Sequence, residues 1–313
     1  MQQSLRRSLG LMMRAGGLLL AASLLTTAAG AQTGGGEGLS PTLAGIKSRH
    51  VVHLGYRESS PPFSFLDQGN RPIGYSLELC EAIVEEIGAE IDDPDLKIDY
   101  VKVTSDDRIA AVVQGKVDLE CGSTTASAER TKQVAFSPLI YVAGTKLMVP
   151  KASLLATTVD LNGKTVVVTK GTTNEQAIRN ADAKFALGLT ILVSPDHEQS
   201  YQMLADGKAD AFATDDILLY GLIARHKSQD RFRVAGDYLS YDPYGIMFRK
   251  GDPQLADVVE RAFHKLGSNR DLIPLYNKWF TSRLPTGERL NVAISPQLEE
   301  AFRVLDDSAG GSH

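Results

Sequence analysis

Only two cysteines, Cys80 and Cys121, and a single tryptophan occur in 313 residues. So few thiols exclude a disulfide-dense secreted scaffold, and no Cys/His group has the spacing of a zinc site. Two cysteines in an oxidising compartment can pair. Cys80, however, falls on the apolar face of an expected helix, and two buried free thiols fit the sequence equally well. A basic excess is also lacking, since 33 Lys and Arg face 38 Asp and Glu for a formal net charge of −5. With no basic stripe, nucleic acid is not expected as a partner. Long apolar runs are absent apart from residues 16–25, which are too few to cross a bilayer and stay. Arg6, Arg7 and Arg14 precede that run and Ala29-Gly30-Ala31 follows it, the pattern of a secretory signal peptide over residues 1–31. Its removal leaves 30 basic residues against 38 acidic ones, a charge of −8 with the histidines neutral. Neither cysteine lies near the cleavage site, so the mature chain is expected to be exported and soluble, without a lipid anchor or membrane insertion.

What is present is an alternation of strands and helices. Residues 32–48, which begin Gln-Thr-Gly-Gly-Gly, are expected as a flexible lead-in. Val51-Val52-His53-Leu54-Gly55-Tyr56 reads as a strand, and the chain leaves it through Arg57-Glu58-Ser59. Leu77, Cys80, Ile83, Val84 and Ile87 then fall at helical spacing, and residues 97–103 alternate as a strand. Ser105 is expected to cap a helix that Gly115 stops. Such units of roughly 30 residues are the grammar of a mostly parallel sheet with crossover helices.

The grammar returns in a strand at 165–169, a helix entry at Gly171-Thr172-Thr173, strands at 190–193 and 209–214, and a cap at Asp196. Residues 104–119 superpose on 196–211 without gaps, 92 positions apart, the helix in each ending at Gly-Lys with an aspartate after one intervening residue. The superposition sets Ser105 opposite His197 and Ser123 opposite Asp215. Ligands of open α/β sheets sit at the carboxyl ends of strands. Two lobes with those ends facing one another would enclose a cleft. A strand at 244–248 and two amphipathic helices, carrying Leu255, Val258 and Val259 and then Leu272, Tyr276 and Trp279, return to the first lobe. The expected fold class is therefore α/β with two lobes, each a mostly parallel sheet flanked by helices. Lobe 1 spans 49–143 plus 243–313, lobe 2 spans 144–242, and a two-crossing hinge lies near 142–147 and 240–244.

The stretch Glu120-Cys121-Gly122-Ser123-Thr124-Thr125-Ala126-Ser127-Ala128-Glu129-Arg130 offers backbone N–H groups, small hydroxyls and a guanidinium where a strand meets a helix. That set suits a small carboxylate; an ordinary loop with a surface arginine fits the same letters. Arg108 stands in a helix's first turn, where the dipole disfavours a cation. It either folds back on Asp106 and Asp107 or reaches an anion, and Arg57 beside Glu58 has the same two readings. Taken together, Arg57, Arg108 and Arg130, with His197, converge on strand ends opposite Asp215. Three positive charges facing one negative charge complement a ligand with two carboxylates and one ammonium. The hydroxyls of Ser105, Ser123, Thr125 and Thr173 would fill the remaining acceptor positions.

Several segments together carry a family resemblance: Gly55-Tyr56-Arg57-Glu58-Ser59-Ser60-Pro61-Pro62-Phe63-Ser64, Gly74-Tyr75-Ser76, Thr104-Ser105-Asp106-Asp107-Arg108, Glu120-Cys121-Gly122-Ser123-Thr124-Thr125, Glu129-Arg130, Gly171-Thr172-Thr173, Asp196-His197, Asp215-Asp216 and Lys278-Trp279-Phe280. Over nearly all of the mature chain the sequence resembles the extracytoplasmic solute-binding proteins of ABC transporters for polar amino acids, most closely the glutamate/aspartate-binding proteins. The resemblance implies a type II periplasmic-binding-protein-like fold, a periplasmic monomer, and no catalysis, cofactor or metal. It implies L-glutamate or L-aspartate as ligand and an inner-membrane ABC permease complex as partner. By it Arg130 and Thr125 hold the ligand's α-carboxylate, and Asp215 with Ser123 holds its ammonium. Arg57, Ser105, Arg108 and His197 surround the side-chain carboxylate, and Thr173 contributes from lobe 2. Two other functions are weighed against this one. One is an exported dehydratase-like enzyme on the same scaffold, with His197 and Asp215 as candidate acid and base; the other is a binding protein for asparagine or glutamine. Asp107 departs from the family pattern and could pair with Arg108. Cys80 is not a residue the resemblance calls for, so no Cys80–Cys121 bridge follows from it.

Overall fold

A computed structural model of the chain describes residues 38–307, and its first element is a helix where a lead-in was expected. The signal peptide expected at 1–31 and the start of the lead-in lie outside the described residues. Ser40 caps α1 (Pro41–Arg49) by accepting from the Leu43 N–H at 3.3 Å, and Pro41 occupies the first turn, where a missing N–H is harmless. Leu43 and Ile46 are fully buried, so residues 41–48 belong to the folded body and not to a flexible lead-in. A Ser-Pro start followed by two apolar residues three apart was the overlooked signal.

The first lobe continues with β1 (Val51–Tyr56), a small antiparallel sheet of β2 (Ser59–Ser60), β3 (Ser64–Leu66) and β4 (Pro72–Ile73), then α2 (Tyr75–Glu90), β5 (Lys97–Lys102), α3 (Arg108–Val113), β6 (Leu119–Glu120) and β7 (Val134–Phe136). The buried face of α2 carries Leu77, Cys80, Ile83, Val84 and Ile87, as the spacing predicts. The chain then crosses by β8 (Tyr141–Ala143) into β9 (Thr145–Pro150), β10 (Thr165–Thr169), α4 (Thr173–Phe185), β11 (Thr190–Ser194), α5 (His197–Ala205), β12 (Ala211–Asp215), α6 (Asp216–Arg225) and β13 (Phe232–Ala235). It returns by β14 (Asp242–Tyr244), antiparallel to β8, and closes the first lobe with β15 (Met247–Arg249), α7 (Pro253–Ser268), α8 (Leu272–Phe280) and α9 (Pro296–Asp307). The expected strand at 244–248 is thus two strands, interrupted at Gly245-Ile246 where the chain passes from the crossing into the sheet.

Two five-stranded sheets share one plan. Their orders are β5-β1-β6-β15-β7 and β11-β10-β12-β9-β13. In each, the first three strands are parallel and the fourth runs antiparallel to both neighbours. The antiparallel strands β9 and β15 are those that the two crossings deliver. Since β6 starts at Leu119 and β12 at Ala211, the 92-residue superposition aligns third strand with third strand. Cys80 and Cys121 form a disulfide that ties α2 to the residue just after β6.

Candidate functional site

Six of the nine expected side chains leave the carboxyl ends of the parallel strands. Arg57 follows β1, Ser105 and then Arg108 follow β5, Ser123 follows β6, His197 follows β11, and Asp215 ends β12. Thr173 opens α4 beyond β10, while Thr125 and Arg130 lie on the stretch leading away from β6. Arg108, Ser123, Thr125, Thr173, His197 and Asp215 line one cavity between the lobes, with a volume of about 10 Å³. That is room for about one water. Arg57 borders a neighbouring crevice of about 340 Å³ together with Lys102, Thr104, Asp196 and Arg225. Ser105 accepts from Arg57, and Arg130 reaches the Gly171 carbonyl, two residues before Thr173.

The three arginines point inward. Arg57 is 2% exposed; its Nη2 donates to Ser105 Oγ at 2.6 Å and its backbone N–H to Ser64 Oγ at 2.8 Å. Glu58 pairs instead with Lys102 at 2.6 Å, which removes the surface-pair reading of Arg57. Arg108 Nη1 donates to Thr124 Oγ1 at 2.6 Å and to the Ser123 carbonyl at 3.3 Å. Asp107 does not hold it, because Asp107 Oδ1 accepts from the Thr104 N–H at 2.7 Å while Thr104 Oγ1 accepts from the Asp107 N–H. This reciprocal pair, not Ser105, shapes the entry to α3, correcting the expected cap and leaving the Ser105 hydroxyl for Arg57. Arg130 donates from Nη1 to the Thr125 carbonyl at 3.0 Å and from Nη2 to the Gly171 carbonyl at 3.2 Å, a bond that spans the cleft.

Burial first, then the neighbouring Arg108 charge, lowers Arg57 to about 10 and Arg130 to about 9, with Glu120 opposing both shifts. Both stay cationic at neutral pH. His197, 2% exposed with Nδ1 2.9 Å from Thr169 Oγ1, is pushed well below its usual value by burial and by Arg57 and Arg108. It therefore contributes a neutral ring and no charge. Asp215 accepts from Asn174 Nδ2 at 2.8 Å and from the Tyr244 hydroxyl. Burial, then Asp242, raises it to about 7 while those two bonds oppose the rise. Around this cleft Arg57 Nη1, Arg108 Nε, Ser123 Oγ and Glu120 Oε1 are buried and make no hydrogen bond among the described residues. Buried polar atoms without a protein partner are free to bond water or a polar ligand.

Three residues escaped the sequence reading as site components. Glu120 is fully buried and accepts from Thr124 Oγ1 at 2.6 Å, so it sits behind the arginines as a fixed counter-charge. Asn174 bridges Asp215 to Thr145, and Asp242 accepts from the Thr125 hydroxyl at 3.1 Å. Only Glu120 left a trace, as an acid ending an apolar strand. Gly122 has a packing role as well, since a Cβ there would lie 2.3 Å from Glu120 Oε1 and 2.9 Å from Arg57 Cγ.

Residues 52–282 match the model of the bacterial extracellular solute-binding proteins, family 3. The chain belongs to that family. This solute-binding protein is 41% identical over 273 residues to the L-glutamate/L-aspartate-binding protein of Pseudomonas aeruginosa, covering 87% of this chain and 90% of that one. It is 35% identical to the glutamate/aspartate import solute-binding protein of Escherichia coli, covering 86% and 89%. Among solved structures it is similar to an ancestral amino acid-binding protein described as a precursor of cyclohexadienyl dehydratase. The TM-score is 0.66 at 30% identity, over 77% of this chain and all of that one. The two sequence relatives are binding proteins and not enzymes; the third shows a related scaffold leading toward catalysis. Among the described residues of this solute-binding protein no helix is long and apolar enough to cross a membrane.

Proposed function

We propose that this protein binds L-glutamate or L-aspartate between its lobes and delivers it, as a periplasmic monomer, to an inner-membrane ABC permease. The observation that carries the reading is the set of three buried arginines, Arg57 and Arg108 beyond strand ends and Arg130 on the stretch leading away from β6, together with the buried Asp215. Two carboxylates and one ammonium match that set, and each charge-assisted bond contributes roughly 1.5–3 kcal/mol. Arg130 and Thr125 take the α-carboxylate, and Asp215 and Ser123 take the ammonium. Arg57, Ser105, Arg108 and the neutral His197 take the side-chain carboxylate, and Thr173 adds a hydroxyl from the second lobe. The names of the two sequence relatives support the same ligands.

Calorimetric titration with L-glutamate, L-aspartate, L-glutamine and L-asparagine tests the ligand class. Saturable heat is expected with the two acids at far lower concentration than with the amides. Saturation by an amide alone overturns the assignment. The enzymatic reading has one observation in its favour, an Asp215 that titrates near neutrality. That residue is already engaged by Tyr244 and Asn174 and faces the expected ammonium, while the other candidate, His197, is engaged by Thr169 at Nδ1 and kept neutral by burial.

A further inference from the structure

One buried carboxylate beside the cleft has no role as a ligand contact. Asp242 is 1% exposed and stands on β14, the second crossing, outside the cavity lining. Its Oδ1 accepts from the Thr125 hydroxyl at 3.1 Å and its Oδ2 from the Ser240 hydroxyl. Ser240 Oγ lies 2.6 Å from Thr145 Oγ1, which accepts from Asn174 Nδ2 at 2.7 Å; the same amide donates to Asp215 Oδ1 at 2.8 Å. Tyr244, two residues along β14, donates to Asp215 Oδ2. One hydrogen-bonded circuit therefore joins both crossings to the two groups expected to meet the ligand's amino-acid head.

Resting on the reading of the cleft as an amino-acid site, we propose that Asp242 is a positioning residue: from the crossing strand it fixes the Thr125 hydroxyl and sets the charge environment in which Asp215 meets the ammonium. Groups facing Asp215 come from several elements. Asp242 and Tyr244 lie on β14, Asp216 on α6 and Asn174 on α4, while Arg130 is close enough to feel both Asp215 and Asp242. Desolvation is the largest cause of Asp215's rise to about 7 and Asp242 the next. The sign follows from linkage. An ammonium binds the ionised carboxylate, so affinity is full above the Asp215 pKa and falls about tenfold per pH unit below it. With the Asp242 charge removed, that fall begins at lower pH. Asp242 thus adds to the acid sensitivity that burial already gives ligand retention, in a range where an isolated aspartate is fully ionised.

The test compares the full chain with its Asp242→Asn variant, which keeps size and an acceptor for Thr125 but loses the charge. Carboxyl-carbon NMR follows Asp215 without ligand, and titrations with L-glutamate from pH 5 to 8 follow affinity. Asp215 is expected to titrate about one pH unit lower in the variant, with the midpoint of the affinity profile moving by the same amount. A merely structural residue would lower affinity at every pH and leave the midpoint in place. Identical Asp215 titrations in the two proteins overturn the proposal. Asp242→Ser, smaller and also neutral, gives the same comparison where Asp242→Asn does not fold. A wild-type chain that shows no heat with L-glutamate at pH 8 counts against the proposed function, whereas the NMR comparison decides the role of Asp242 either way.

Discussion

Arg108 and Arg130 belong to one wall of the cleft but are held differently. Arg130 is fixed by two main-chain carbonyls, one on each side of the cleft, which suits a contact common to every amino acid. Arg108 is held by a threonine hydroxyl and one carbonyl and keeps Nε without a partner, which suits a contact to the variable part of a ligand. Arg108→Ala is therefore expected to weaken L-glutamate by about 100-fold, the equivalent of about 3 kcal/mol, while changing L-glutamine little. Arg130→Ala should weaken both ligands alike. Calorimetry with the two ligands on the two variants separates the roles, and an equal loss of both ligands in Arg108→Ala contradicts them. At this scale Arg108 was legible because a cation in a helix's first turn contradicts the dipole, and Arg130 because it closes a stretch of small hydroxyl residues after a strand. Asn174 and Asp242 were not, since a polar residue in the first turn of a helix or at the start of a short strand gives no sign of burial until distant segments close over it.

Helix α2 meets the end of β6 through two bonds one helical turn apart. Ser76 Oγ donates to the Gly122 carbonyl at 2.7 Å, and Cys80 is bonded to Cys121. Both lie directly behind Ser123 and Thr125. Replacing the two cysteines by alanine opens a loop of 41 residues, which the chain-entropy relation values at about 4 kcal/mol. A lowered melting temperature is expected, together with faster ligand release, since of the two ties between α2 and the wall only the Ser76 bond then remains. Stopped-flow release and thermal melts read the two effects, and unchanged values in both would remove the anchor from the account. Periodicity placed α2 and its buried face correctly, yet it could not state which strand end lies over that face. For the same reason the pairing of the cysteines stayed open in the sequence. The repeat of capped helix, Gly-Lys and strand did foretell an element-level fact, that β6 and β12 hold equivalent places in their sheets.

In the whole molecule the two lobes approach closely, and glycines permit it. Gly171 has φ +74°, and a Cβ there would lie 2.7 Å from Asp106 Cα across the cleft; one at Gly221 would lie 2.3 Å from the Pro61 carbonyl oxygen. Lys170 and Asp106 pair beside the first contact at 2.8 Å but are both about half exposed, so that pair adds little. Gly171→Ala is expected to leave the lobes folded and to lower affinity at least tenfold by holding them apart. Small-angle scattering at saturating ligand should then show a larger radius of gyration than the wild type, and equal radii would sink the idea. The two lobes were legible from the return of strands after residue 243; their closeness was not, because it depends on the lack of a Cβ at Gly171 and Gly221. The crossings have a mechanical consequence too. The chain enters the second lobe beside Ala143 and leaves it beside Asp242, and these two residues face each other as a strand pair. The described chain begins and ends in the first lobe, so tension on its ends enters and leaves the second lobe at adjacent points and cancels there. A pull that unravels the first lobe leaves the second one slack until the β8–β14 pair itself is torn open.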